Sequence, residues 1–139
     1  MLDLEGTLIT SAVSIIPRPG LYDFLEYCNN KFDEIVVMTA ISLDRFKEVK
    51  NTLLNFQEVP QWFEYVQYIN YSDKPESNYG EYKDLQCVPN WKEKEIIIID
   101  DMESYIRPEQ KDRWIPITTY DGRENDLEFD RIVKYMDKL

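Results

Sequence analysis

Glu95-Ile96-Ile97-Ile98-Ile99-Asp100-Asp101 carries the clearest strand signal in the chain. Its four consecutive isoleucines form an apolar run too short for a helix and without polar alternation, which is how a parallel strand covered on both faces reads. The strand predicted there spans Glu95 to Ile99 and runs out onto two carboxylates. Nearer the N-terminus, Glu34 to Met38 (EIVVM) is a second strand of the same kind. Tyr65 to Ile69 and Ile115 to Ile117 are weaker ones, expected at the sheet edges. Between the strands the hydrophobic period becomes helical. Leu21, Phe24, Leu25 and Cys28 share one helical face just after Pro19, a residue suited to a first turn. A second helix is predicted after Ser42 as N-cap, turning Leu43, Phe46, Val49, Leu53 and Phe56 inward. A last one runs from about Asn125, with Phe129, Ile132, Val133 and Met136 on one face. Strands alternating with helices imply right-handed crossovers and an α/β architecture. The sheet is expected to be Rossmann-like and mostly parallel, with helices on both faces and a binding site beyond the carboxyl ends of the strands.

The chain has 139 residues, 16 basic and 27 acidic, giving a formal charge of −11, and it has no histidine. That length suits one domain over residues 1–139, large enough to bury roughly two-thirds of the surface its unfolded form exposes. With 43% hydrophobic residues it is globular in composition despite the charge. So acidic a surface repels phosphate backbones and anionic lipids, and neither nucleic acid nor membrane is expected as a partner. The missing histidine excludes Ser-His-Asp and Cys-His chemistry and every His-built zinc site, so carboxylates must carry whatever chemistry there is. Cys28 and Cys87 follow no metal or redox spacing and read as reduced thiols of a cytoplasmic protein. No apolar run approaches the roughly 18 residues needed to span a bilayer, and the first residues lack the pattern of a secretion signal.

Three segments follow the predicted strands at the edge where α/β folds bind ligands. They are Asp3-Leu4-Glu5-Gly6-Thr7, Thr39-Ala40-Ile41-Ser42 and Asp100-Asp101. Taken singly, each Asp suits a loop or helix cap. Taken together, Asp3 and Asp100 would hold two like charges close to each other, which is costly unless a cation or a shared proton neutralises them. Magnesium suits such a set, because it takes oxygen ligands from one or two carboxylates, waters and a substrate phosphate.

Asp3-Leu4-Glu5-Gly6-Thr7-Leu8 resembles the first motif of the haloacid dehalogenase (HAD) superfamily, D-x-D-G-T-[LV]. Thr39 after an apolar strand is similar to the second motif, and Asp100-Asp101 to the fourth. Arg18-Pro19-Gly20 with Phe24-Leu25, Met38-Thr39-Ala40-Ile41-Ser42, Tyr82-Lys83-Asp84-Leu85 and Ile99-Asp100-Asp101 narrow the resemblance. Their order and spacing match the NLI-interacting-factor-like branch, which includes phosphatases of the RNA polymerase C-terminal domain. The tail, Ile115-Pro116-Ile117 with Asp126-Leu127-Glu128, extends the match over nearly the whole chain. This resemblance implies a HAD-like sheet of strand order 5-4-1-2-3, counting the segment before Asp3 as strand 1, without a large cap domain. It implies a Mg2+-dependent phosphatase acting on a phosphorylated small molecule or phosphoprotein. Asp3 would be the nucleophile and a metal ligand. Glu5 would be general acid and base, its backbone carbonyl on the metal. Thr39 and the Ala40 N–H would hold the phosphoryl oxygens, Lys83 would neutralise charge, and Asp100 and Asp101 would complete the metal site.

Four features depart from that pattern or leave it open. Glu5 stands where the branch usually has Asp. Its extra methylene moves the carboxylate by roughly 1.5 Å, although the enolase-phosphatase branch, with D-x-E-G-T, is catalytic. A catalytically weak or inactive module that binds a phospho-ligand or a protein is therefore the alternative. Lys74 rivals Lys83 as the lysine of the site. Arg18 reads as a turn residue outside the catalytic set. Only Met1 and Leu2 precede Asp3, so either the strand is stunted or further residues belong upstream. Without a lid the cleft is expected to be open. Trp62, Phe63, Tyr68, Tyr71 and Tyr79 could line a recognition surface, but core or loop packing is the weightier reading. Oligomeric state is left open.

Overall fold

A computed structural model describes all of residues 1–139. Its α-helices are α1 (Leu21–Lys31), α2 (Leu43–Asn55) and α3 (Glu128–Met136), and its strands are β1 (Val36–Thr39), β2 (Gln67–Asn70), β3 (Ile98–Asp100) and β4 (Trp114–Pro116). β1 pairs in parallel with β2 and β3 in parallel with β4. Leu2 pairs in parallel with both Val37 and Ile99, so the N-terminal segment lies between the two pairs. Its backbone is held on both sides: Leu2 N donates to Val36 O (2.8 Å) and Asp3 N to Ile99 O (3.0 Å). The arrangement is a mixture of helices and small parallel sheets, as expected for α/β, with β2 and β4 outermost.

The pleat sends alternate residues to opposite faces. Leu2, Val37, Ile99 and Ile115 enter one core with Leu21, Phe24, Leu25 and Cys28 of α1, Phe46, Val49 and Leu53 of α2, and Phe129, Ile132 and Met136 of α3. Val36, Met38, Ile69 and Ile98 enter a second core with Leu85, Val88 and Ile106. All three α-helices therefore share one core. The expectation of helices on both faces fails here: the second face is covered by residues 71–97 and 101–113, whose only regular pieces are short 3₁₀ turns. No helix is long and apolar enough to cross a membrane.

Several expectations hold closely. The inward face of α1 is the one its spacing predicts, and the Ser42 side chain caps α2 by accepting from Arg45 N. Others need correction. Leu43 and Phe56 are 47% and 74% exposed, because the first sits in the opening turn of α2 and the second just past its end. The long isoleucine run yields a strand of only three residues, shifted to Ile98–Asp100, and α3 starts at Glu128 rather than near Asn125. Of the five aromatics, Phe63 and Tyr71 are buried and Trp62 and Tyr68 half-buried, while Tyr79 is exposed. Packing accounts for most of them.

Candidate active site

The alternation that sends Leu2 and Ile99 toward the helices sends their neighbours Asp3 and Asp100 to the other side, where the irregular segment before β3 brings up Lys83. The Lys83 ammonium donates to Asp3 Oδ1 at 2.5 Å and to Asp100 Oδ2 at 2.6 Å, and all three side chains are buried. Lys83 is delivered by its backbone, whose N–H donates to Tyr105 O at 2.8 Å. The rings of Tyr71 and Tyr105 flank the ammonium at 5.6 and 5.4 Å. Next in sequence, the fully buried Asp84 accepts from Gln86 N (2.8 Å), from Gln110 Nε2 (3.0 Å) and from Arg107 Nε. A buried carboxylate satisfied this thoroughly fixes an otherwise irregular loop. Lys74, the alternative lysine, is exposed.

Asp3 also accepts from Thr7 Oγ1 at 2.7 Å across a tight turn. Gly6 at that turn has φ +82°, and a Cβ there would collide with Asp101 Oδ2, so glycine is the residue that lets the Asp101 carboxylate approach. Asp101 accepts from Thr119 Oγ1 at 2.7 Å, and Asp100 Oδ1 from Met102 N at 2.8 Å. Carboxylate oxygens of Asp3, Asp100 and Asp101 all lie within 4.8 Å of one another.

Burial pushes the Asp3 carboxyl up to about 7, against the pull of Lys83, and pushes Asp100 up as well. Burial also works against the Lys83 ammonium, but the Asp3 and Asp100 carboxylates outweigh it and hold that ammonium above its ordinary value. Three gathered carboxylates thus face a single lysine. The donors are all hard oxygens gathered within reach of one another, so the set fits a hard divalent cation.

The remaining predicted residues lie outside this cluster of bonds. Thr39 is buried at the end of β1, and its Oγ1 accepts weakly from Ile41 N at 3.4 Å. Tyr68 OH (2.5 Å) and Asn70 Nδ2 (3.3 Å) both donate to Ile41 O and fix the loop carrying Thr39 and the exposed Ala40. Glu5 is exposed, and its Oε2 accepts from Ala12 N at 2.8 Å, which ties it to the loop before α1 rather than to the other carboxylates. Arg18 is buried. It donates to Thr118 O, pairs with Asp126 at 3.3 Å and lies over the Tyr120 ring. Sequence reasoning missed Thr7, Tyr105 and Thr119 as contacts of the site. For Thr7 the signal was its place four residues after Asp3. The other two had none, since their partners are distant in sequence.

A sequence model of the family described as NLI interacting factor-like phosphatase matches residues 1–139. No curated protein matches the chain significantly in sequence.

Proposed function

Because the chain belongs to the NLI interacting factor-like phosphatase family, we propose that it is a Mg2+-dependent HAD-type phosphatase that hydrolyses phosphomonoesters through an aspartyl-phosphate on Asp3. The observation that carries this reading is the convergence of Asp3, Asp100 and Asp101 on one point beside Lys83. Parallel pairing of Leu2 with Val37 and Ile99 supports one HAD-like domain of strand order 5-4-1-2-3. The two free thiols, Cys28 and Cys87, suit a reducing compartment such as the cytoplasm.

In the first step a carboxylate oxygen of Asp3 forms a bond to phosphorus while the bond to the leaving oxygen breaks. Glu5 gives its proton to that oxygen, releasing the alcohol. In the second, Glu5 takes a proton from water, whose oxygen bonds to phosphorus as the Asp3–phosphorus bond breaks, releasing inorganic phosphate. The Ala12 N–H on Oε2 steadies Glu5 and leaves Oε1 for the proton. Thr39 and the Ala40 N–H bind phosphoryl oxygens. Lys83 has three N–H bonds, two of them committed to Asp3 and Asp100, and the third is available to the charge that spreads over the transferring group. Asp3, Asp100, Asp101 and the Glu5 carbonyl would hold magnesium, which supplies neutralisation of the crowded negative charge. The substrate is a phosphorylated small molecule or a phosphoprotein.

Purified protein assayed on an aryl phosphate is expected to need magnesium and to lose turnover roughly a thousandfold or more in Asp3→Asn, as when other nucleophiles are removed. Activity indifferent to both changes rejects the mechanism. The anchoring of Glu5 on Ala12, away from the other carboxylates, favours a second reading, a module that binds a phospho-ligand without turnover. Beryllofluoride with magnesium separates the two readings: a stable adduct on Asp3 supports the phosphatase, and its failure to form supports the module.

A further inference from the structure

Asp101 is set in place by a segment that the phosphatase chemistry leaves unused. Thr119 Oγ1 donates to Asp101 Oδ2 at 2.7 Å, and the same oxygen lies against the bare backbone of Gly6. Thr119 is exposed, but the backbone on either side of it is anchored. On one side Ile117 N donates to Asp100 O at 3.3 Å, and on the other Tyr120 N donates to Gly6 O at 2.8 Å. Thr118 N donates to Glu128 Oε2 at 2.9 Å, and its carbonyl accepts from the buried Arg18. Residues 117–120 form a strap fastened to β3, to the turn after Asp3 and to α3, with one hydroxyl turned onto a carboxylate of the cluster.

A hydroxyl that donates to one carboxylate oxygen fixes the rotation of the group and leaves most of its lone pairs free. Asp101 is half-buried next to two other carboxylates, and like-charge repulsion would otherwise swing it toward water. We propose that Thr119 is a positioning residue for the divalent cation, holding the Asp101 carboxylate toward Asp3 and Asp100. The assignment rests on the magnesium reading above and adds a residue to it.

Magnesium binding to the wild type, Thr119→Val and Thr119→Ser is measured by titration calorimetry on the folded proteins without substrate, alongside their metal-free unfolding midpoints. Valine keeps the shape and removes the donor, whereas serine keeps the donor. The expected result is that Thr119→Val weakens magnesium binding roughly tenfold or more, the usual range for a lost partner of a metal ligand. Thr119→Ser is expected to bind close to wild type, with the metal-free midpoints of all three similar. Wild type that binds, with Thr119→Val binding equally well, overturns this assignment alone. So does a weakening that only tracks a lowered midpoint, since that marks a structural role. Wild type that binds no magnesium overturns the magnesium reading, and this assignment with it.

Discussion

On one side of the strands three α-helices press Phe24, Leu25, Phe46 and Ile132 into an apolar core. On the other, residues 71–97 and 101–113 cross as short turns that add Leu85, Val88 and Ile106 to a smaller apolar core and are tied together by polar side chains, Asp84 with Arg107 and Gln110 above all, and from these turns Lys83 reaches Asp3 and Asp100. The helical side is regular because its energy comes from apolar area, which a repeating pattern supplies. The other side is irregular because, beside its smaller apolar core, it must carry one lysine to one place, and no repeating pattern does that. Both faces contribute stability but only one carries the chemistry, so a variant on one side should move the two differently from a variant on the other.

Lys83→Ala should have the largest combined effect. It strands two buried carboxylates, and breaking a buried pair typically costs about 3–5 kcal/mol. Urea unfolding should show that loss in metal-free protein and partial recovery with magnesium, while turnover collapses. Leu25→Ala, in the helical core, should cost about 2–5 kcal/mol and leave kcat per folded molecule unchanged. Asp84→Asn removes charge from a buried acceptor while keeping its shape, at about 1.5–3 kcal/mol, and it should lower kcat because the Lys83 loop loosens. The contrast is sharpest in that pair: the costlier change spares turnover and the milder one reduces it. Equal kcat for Leu25→Ala and Asp84→Asn would erase the division.

The smallest effect belongs to Glu128. Hydrogen bonds from Arg131 and from Thr118 N hold its carboxyl down at about 2. A depressed carboxyl binds fewer protons when folded than when unfolded, so its stabilisation is complete above the ordinary carboxylate value and is lost as pH falls through about 2. Glu128→Gln should therefore unfold slightly more easily than wild type at neutral pH, by under about 1 kcal/mol for so accessible a pair. Thermal midpoints followed down in pH should converge.

What could be read in the sequence divides along the same line. The stripe Leu21, Phe24, Leu25, Cys28 is local, so its period alone gave α1 and its inward face. Leu43 and Phe56 fit the period of α2 but sit at its ends, where no neighbouring element covers them. Asp3, Thr39, Asp100 and Asp101 were legible because strand ends share an edge in any such sheet. Lys83 came only from resemblance, for nothing local marks it off from Lys74. The 3₁₀ turns of residues 71–113 were not legible, because they are held by partners far apart in sequence, such as Asp84 with Arg107 and Lys83 N with Tyr105 O. Arg18, read as a turn residue, lies buried and fastens Thr118, an arrangement created only when the chain returns a hundred residues later.

In the proposed mechanism Asp3 carries the phosphoryl group during turnover. Borohydride added during steady-state hydrolysis of an aryl phosphate reduces an acyl phosphate to the alcohol, and peptide mass spectrometry then reports the side chain at position 3. Homoserine is expected there only when both substrate and magnesium are present. An unmodified Asp3 in protein that is releasing phosphate would contradict it.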